Sequence, residues 1–376
     1  MRKNQKSKLQ QSFYLVGLFL FTFALFFFSC DLFKMRPRQH PKNIILFIGD
    51  GMGVSQMTAA RTVKGVLNME GVPVYGYITT HSASHFVTES PAAATAMSTG
   101  FKTNNKMVAI SPNGDTLQTV LEIAEDMGLA TGLVTTSHLS CATPASFASH
   151  VSYRNDYYHI AEHISRCGAE VLFGGGYKYF IPKDSSNKTK ETPLSRLQSR
   201  YPVIRTAEAF RQMGTPKGAY ALMTPEELPK ADQRRIPLSE FVKKAIDILS
   251  QNENGFFLMA EGAQIDFGGH DMDSEYVIQE TIDFDEAVGI GLDFARDNGE
   301  TLVLIVSDHE TGGYALLDGS IADSSITQSA FVCDDHTGVM VPLFAMGPGS
   351  DVFHGIHDNT FIGQSLIQMV RNIQSN

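Results

Sequence analysis

The sequence predicts an α/β protein: a doubly wound, mostly parallel central sheet with helices on both faces. Six short apolar, β-rich runs recur along the chain, at 43–48, 130–135, 169–173, 255–260, 301–307 and 341–346. Most are continuous rather than alternating, as in strands buried on both faces of a parallel sheet. Between them lie segments with apolar residues at helical spacing, so strand and helix alternate along the chain.

The chain begins with Arg2, Lys3, Lys6 and Lys8 and then an apolar run over 13–28, ending at Ser29-Cys30-Asp31. That run falls short of the roughly 20 residues a membrane-spanning helix needs. A basic stretch, a short apolar stretch and a small residue before a break read as a signal peptide over 1–29. Phe27-Phe28-Ser29-Cys30 resembles a loose bacterial lipobox, with Phe where Leu and a small residue are common. Cys30 is then the lipidated N-terminus, and 30–42, with Pro37 and Pro41, a short tether. The expected location is a bacterial cell envelope, periplasm or outer membrane, with the chain lipid-anchored to the membrane. A simply secreted form and an uncleaved anchor are the alternatives. One domain is expected over 43–376.

The first strand runs into Gly49-Asp50-Gly51-Met52-Gly53. Open α/β sheets collect ligands outside the carboxyl ends of their strands, and glycine permits close backbone approach there. Such a turn also fits a plain strand-to-helix connection with a capping Asp50. In Thr88-Glu89-Ser90-Pro91-Ala92-Ala93-Ala94 the alanines favour helix, Ser90 suits the N-cap and Pro91 the first helical position. That geometry aims the Ser90 oxygen at a helix N-terminus, where anions are favoured. Alternatively, Ser90 only caps the helix. A helix is expected over 115–127, with Leu117, Val120, Leu121 and Ala124 on one face, before the second and third strands.

The segment 177–235 is rich in Pro, Ser, Lys and Arg and lacks a strong period, so it reads as a surface excursion. Helical spacing returns over 238–249, and the strand after it leads into Glu261 and then Asp266 and His270. These last two are four residues apart and would share a helical turn, although Gly268-Gly269 argues against a regular helix. A carboxylate with an imidazole is a zinc-type donor pair. After a helix at 276–295, the strand 301–307 ends in Asp308-His309-Glu310-Thr311-Gly312-Gly313. Asp335-His336-Thr337-Gly338 precedes the last strand, and a helix over 359–373 closes the chain. Any one of these side chains alone reads as structural; their recurrence at strand ends points to a metal centre.

The formal net charge of −10 is the wrong sign for a dedicated nucleic-acid partner, which needs clustered Lys and Arg. Small anionic substrates stay open, because bound cations invert the local field. Cys141, Cys167 and Cys333 form no disulfide framework.

In order and content these segments resemble the alkaline phosphatase family from Asn43 to Ile373. The similarity extends to Cys141-Ala142-Thr143-Pro144-Ala145 and to His150-Val151-Ser152-Tyr153-Arg154. The resemblance implies two zinc ions and one magnesium ion. Asp266, His270 and His336 would hold one zinc, and Asp50, Asp308 and His309 the other. Asp50, Thr143 and Glu261 would hold magnesium. It further implies Ser90 as the nucleophile forming a phosphoserine, Arg154 gripping the phosphate, small phosphate monoesters as substrates, and a homodimer. The chain departs from the family pattern at Glu89, where Asp is usual; at Pro91, where a small residue is; at Cys141, where Asp or His is common; and at Phe267, where Lys, His or Trp is common. Competing readings are a phosphodiesterase or phosphonate hydrolase on the same metals, and a lipoprotein that binds metal or phosphate without turnover. His81 and His85 are candidates for the mouth of the site; the remaining histidines read as packing or surface residues.

Overall fold

A computed structural model describes residues 40–182 and 191–373. The signal peptide, Cys30 and most of the tether lie outside the described residues. Among those described, no helix is long and apolar enough to cross a membrane.

The strands are β1 (Asn43–Gly49), β2 (Val74–Thr79), β3 (Ala130–His138), β4 (Val171–Gly175), β5 (Val203–Ile204), β6 (Ala219–Leu222), β7 (Phe256–Gly262), β8 (Thr301–Val306), β9 (Glu310–Thr311), β10 (Ala315–Ser320), β11 (Ser325–Ala330), β12 (His336–Thr337), β13 (Val341–Met346) and β14 (Gly355–Asp358). Ten of them form one sheet in the order β14-β2-β13-β8-β1-β7-β3-β4-β6-β5. Within it β13 alone runs against the rest, antiparallel to both β8 and β2. β10 with β11, and β9 with β12, form separate two-stranded sheets.

Residue alternation along β1 shows why the apolar runs are continuous. Ile44, Leu46 and Ile48 enter the core on one face of the sheet, while Ile45 and Phe47 enter the core on the other. A strand covered on both sides has no polar face to alternate with.

The six strands expected from sequence correspond to β1, β3, β4, β7, β8 and β13, which are the six contiguous central strands of the sheet. The pairs at the two edges, β14-β2 and β6-β5, carry no such signal. β2 exposes Tyr75 and Tyr77, β14 exposes Ile356, and β5 has only two residues. Here the structure corrects the reading of 177–235 as a surface excursion. β6 pairs parallel with β4, and β5 with β6, so this segment extends the central sheet.

The helices are α1 (Val54–Lys64), α2 (Ser90–Thr99), α3 (Val120–Asp126), α4 (Ala142–Ala148), α5 (Tyr157–Ile164), α6 (Pro193–Arg200), α7 (Ala207–Gln212), α8 (Leu238–Leu249), α9 (Gln264–His270), α10 (Ser274–Asn298) and α11 (Asn359–Asn372). α3 starts later than the apolar spacing suggests because Thr119 caps it. The Thr119 hydroxyl accepts from the Glu122 N–H at 3.2 Å, and the Glu122 carboxylate accepts from the Thr119 N–H at 2.8 Å. α9 is helical despite its paired glycines, and packing explains them. A Cβ on Gly269 would stand 2.8 Å from Thr311 Cγ2, and one on Gly268 would stand 2.8 Å from the Val277 nitrogen. The glycines let α9 lie directly against β9 and α10.

Candidate active site

The carboxyl ends of β1, β7 and β8 are adjacent, and each chain segment leaving them carries an acid: Asp50, Glu261 and Asp308. β13 runs the other way, so the segment before it starts from this same edge, and β12 pairs there with β9. That is how His336, which precedes a strand, joins residues that follow strands. Gly51 sits at φ +76°, and a Cβ on it would stand 2.7 Å from the Asp266 Cα. Only glycine lets the β1 turn approach α9 so closely.

One half of the site is rich in oxygen. Asp308 Oδ1 accepts from the Gly51 N–H at 3.2 Å and the His309 N–H at 2.9 Å, while its Oδ2 has no hydrogen-bond partner. Glu261 Oε2 accepts from the Thr135 hydroxyl at 2.5 Å. Among the described residues, Glu261 Oε1, Asp50 Oδ1 and the Thr143 hydroxyl lack hydrogen-bond partners. Burial, reinforced by Asp308, Asp266 and Glu261, lifts the Asp50 carboxyl well above its ordinary range. Burial also pushes Asp308 up to about 7, with Asp266 adding to it, and pushes Glu261 up to about 7 against the pull of Thr135. Buried acceptors without donors cost about 1–3 kcal/mol each, and a cation is what such a set accommodates.

The other half is rich in nitrogen. His270 Nδ1 faces the Asp334 carbonyl at 2.6 Å, and His336 Nδ1 faces the Thr88 carbonyl at 2.9 Å. A carbonyl only accepts, so each Nδ1 carries a hydrogen and each Nε2 turns toward Asp266. The two Nε2 atoms lie 3.2 Å apart, 3.3 and 3.5 Å from the Asp266 oxygens. Two imidazole nitrogens and a carboxylate converging at that distance fit a shared cation, which would displace the His270 Nε2 proton. Burial alone would raise Asp266; the His270 bond and the neighbouring His309 and His336 overcome it and hold the carboxyl far below its usual range. The same bond lifts His270 to about 9. Thr311 adds a hydroxyl bond to Asp266 Oδ1.

His309 lies between the halves. Its Nε2 is 3.2 Å from Asp308 Oδ2, 3.4 Å from Asp50 Oδ1 and 3.3 Å from the Ser90 oxygen. Its ring stacks on that of His336 with centroids 3.6 Å apart. Burial, then the proximity of His336, lowers its pKa well below normal, so it is a neutral donor. Two donor sets have their ligand atoms within 4.8 Å of one another: Asp50, Asp308 and His309, and Asp266, His309 and His336.

Ser90 is the first residue of α2, with Glu89 in the cap position and Pro91 next. The expectation that Ser90 caps the helix is therefore corrected by one residue. The consequence is chemical: its hydroxyl, only 3% exposed, turns to His309 instead of to the helix backbone. Arg154 is fixed at its backbone by the Lys106 carbonyl at 2.9 Å, and its Nη1 stands 3.5 Å from Glu89 Oε2. The longer Glu89 thus still reaches the arginine. Cys141 occupies the cap of α4, and burial raises its thiol pKa.

Other expected residues stand elsewhere. His85 Nδ1 meets its neighbour Ser84 at 2.7 Å, and His81 faces Asp358 at 3.9 Å. Spacing also gave no hint of the frame around Glu310, which accepts from Gln56 at 2.7 Å and from Tyr314 and Gly313 N–H groups at 3.1 and 3.2 Å, as well as from Thr337. That frame ties α1, β9 and β12 together beneath His309 and His336.

A family model described as Alkaline phosphatase matches residues 41–213 and 218–328. Alkaline phosphatase 3 of Bacillus subtilis is 31% identical over 91% of this chain and 92% of its own length. The alkaline phosphatase of the Antarctic bacterium TAB5 is 34% identical and superposes with a TM-score of 0.82 over 89% of this chain and 99% of its own. A variant of that TAB5 enzyme, with Mg bound in its M3 site, superposes with a TM-score of 0.81 over the same shares at 34% identity.

Proposed function

This chain belongs to the alkaline phosphatase family and is a phosphomonoesterase; from that premise we propose that Ser90 takes the phosphoryl group as a covalent phosphoserine at a site for two zinc ions and one magnesium ion. The observation that carries the reading is the 3.3 Å approach of the Ser90 oxygen to His309 Nε2, beside the unpartnered oxygens of Asp50 and Asp308.

Asp266, His270 and His336 would hold one zinc, and Asp50, Asp308 and His309 the other. Asp50, Thr143 and Glu261 would hold magnesium, an all-oxygen set suited to that ion. The Mg in the TAB5 variant supports a third ion here. When bound, the cations supply Lewis acidity and positive charge for phosphoryl transfer.

The chain's own groups do the rest. Ser90 sits on the first turn of α2, where its hydroxyl oxygen can attack phosphorus in line, forming the Ser90 O–P bond as the P–O bond to the alcohol breaks and the serine proton ends on the departing alcohol. The Thr311 hydroxyl donates to Asp266 and can accept the Nδ1–H of neutral His309 at 3.3 Å, which leaves Nε2 without a proton toward the metal-facing oxygens. Arg154 offers a planar fork to two non-bridging phosphate oxygens, and Glu89 steers it. Two free negative charges distinguish a monoester dianion from a diester, and a second positive group beside the cations favours the dianion. In the second half-reaction a water oxygen bonds to phosphorus as the Ser90 O–P bond breaks, one water proton returns to the Ser90 oxygen and inorganic phosphate is released.

Acid quenching during turnover of a phosphorus-labelled aryl phosphate should trap label on the peptide containing Ser90. Ser90→Ala should trap none and lose at least a thousandfold in kcat. Unchanged turnover by Ser90→Ala would refute the covalent route.

The N-terminal run and Cys30 support export to a bacterial envelope with lipid anchoring, and Cys30→Ser should release the enzyme from the membrane fraction. The family resemblance supports a homodimer, which light scattering on the purified chain tests.

A further inference from the structure

A second crevice opens on the same edge of the sheet, away from the metal-ligating residues. It is a cavity of about 320 Å³ at the ends of β5 and β6. β5 runs into Arg205 and Thr206, and β6 into Met223 and Thr224, and all four line it. The far wall is the loop holding Leu228, Arg234, Arg235 and Ile236, with Phe241 of α8 behind it. None of the residues assigned to the phosphatase site lines this cavity.

Its charge is one-sided. Three arginines line it and no carboxylate does. Arg234 is structural: its donors go to the Pro229 carbonyl at 3.1 Å, to Asp283 at 3.1 Å and to Glu280. Arg205 and Arg235 are different. Both are exposed, and neither guanidinium has a carboxylate partner among the described residues. The Arg205 guanidinium lies over the Tyr177 ring, 3.3 Å from its centroid, which holds it in place and, among the described residues, leaves its N–H edge without a carboxylate. The loop itself is anchored. The Leu228 N–H donates to the Thr136 carbonyl at 3.1 Å, and its carbonyl accepts from the Gln264 amide at 2.7 Å.

A cavity of this size takes a small organic ligand. Met223, Leu228, Ile236 and Phe241 offer apolar surface, and Arg205 and Arg235, which line the cavity with no carboxylate partner among the described residues, offer charge. The topology agrees, because open parallel sheets bind ligands outside the carboxyl ends of their strands.

We propose that this cavity is a second binding site, distinct from the phosphatase centre, for a small organic anion with an apolar body: an aromatic or aliphatic carboxylate whose charged end meets Arg205 and Arg235 and whose body lies against Met223, Leu228 and Phe241.

The test is 2-naphthoate binding to the intact, metal-loaded enzyme, followed calorimetrically with the phosphatase site filled by saturating vanadate. One equivalent of naphthoate should bind under vanadate, about tenfold more tightly than neutral 2-naphthamide. Arg205→Gln with Arg235→Gln should weaken naphthoate about tenfold and leave the amide and aryl phosphate turnover unchanged. Met223→Trp, which fills the cavity from its floor, should abolish binding of both. Loss of naphthoate binding when vanadate is present, equal affinity for acid and amide, or unaltered affinity in the double variant would each overturn the proposal. None of these results depends on Ser90 or on the covalent mechanism.

Discussion

The two halves of the proposed metal-ligating cluster solve opposite problems with similar residues. Asp50, Asp308 and Glu261 lie under the ends of β1, β8 and β7, fully enclosed, with oxygens that no donor satisfies. Their carboxyls are pushed up because each buries charge beside other acids. Asp266 is nearly as buried, yet its carboxyl is pulled down, since His270, His309 and His336 surround it. The nitrogen-rich half therefore has its own imidazoles as charge compensation and a half-exposed member in His270, while the oxygen-rich half is enclosed and has the Arg154 charge pulling on Glu261. The first half can wait for its ion as a hydrogen-bonded cluster open to solvent. The second is an unbalanced pocket that a bound cation would stabilise.

The largest effect should come from the residue that borders both ion sets on the oxygen side. Asp50→Asn keeps the shape but removes the charge, and should lower kcat/KM by roughly a thousandfold, about 4 kcal/mol in barrier height. Metal analysis should show both magnesium and one zinc depleted. Full metal content with full activity would remove Asp50 from the ligand set.

Stripping the ions comes next. Dialysis against chelator should abolish turnover and lower the midpoint of thermal unfolding by roughly 10 °C, with zinc plus magnesium restoring both. The two halves should then separate. In the stripped protein at pH 8, Glu261→Gln should unfold at a higher temperature than the unmutated chain, because one buried like charge is gone. His336→Ala should not, because it takes away a group that compensates Asp266. If both substitutions shift the stripped protein alike, the contrast between the halves fails.

This contrast was only partly legible in the sequence. The acids announce themselves because each follows a strong apolar strand, and a strand end in a parallel sheet is a predictable place. His336 precedes a strand and could be placed only through resemblance; the antiparallel course of β13 is the physical reason it belongs. Edge strands such as β5 and β14 were illegible because they are short or half-exposed and carry no continuous apolar run. The Glu310 frame was illegible for a different reason. Its bonds join residues as far apart as Gln56 and Thr337, and spacing along the chain says nothing about them. Ser90 was placed one helical position out because Ser is a common cap, a local preference that Glu89 displaces here without making a side-chain cap bond.

A smaller effect tests the substrate side of the cluster. Arg154→Lys keeps the charge and loses the fork, so kcat/KM for an aryl phosphate should fall by about 10- to 100-fold. Glu89→Gln, which only loosens the steering contact at 3.5 Å, should cost a few-fold at most. A larger loss for Glu89→Gln than for Arg154→Lys would mean that Glu89 acts on something other than the arginine.

The smallest effect concerns an imidazole that has no acid beside it. His138 ends β3, packed between Tyr157 and Tyr179 with ring centroids 4.8 and 5.0 Å away, and among the described residues its Nδ1 has no partner. Burial first, then the charges of Lys178 and Arg154, pull its pKa down to about 4, whereas the bond to Asp266 lifts His270 to about 9. In the unfolded chain His138 should titrate near 6.5. Its folded pKa is depressed, so the unfolded chain takes up the proton first as pH falls. The stability attached to keeping His138 neutral is whole above pH 6.5 and drains away between 6.5 and 4, by about 2–3 kcal/mol in all. Denaturant unfolding of the stripped protein at steps from pH 7.5 to 4.5 checks this against His138→Gln, which cannot titrate. Groups common to both proteins cancel, so the stability gap between them should move by that amount in favour of the glutamine variant as pH falls. A gap that stays constant would mean the ring is not held neutral by its surroundings, and that loss of an acid partner is not what separates His138 from His270.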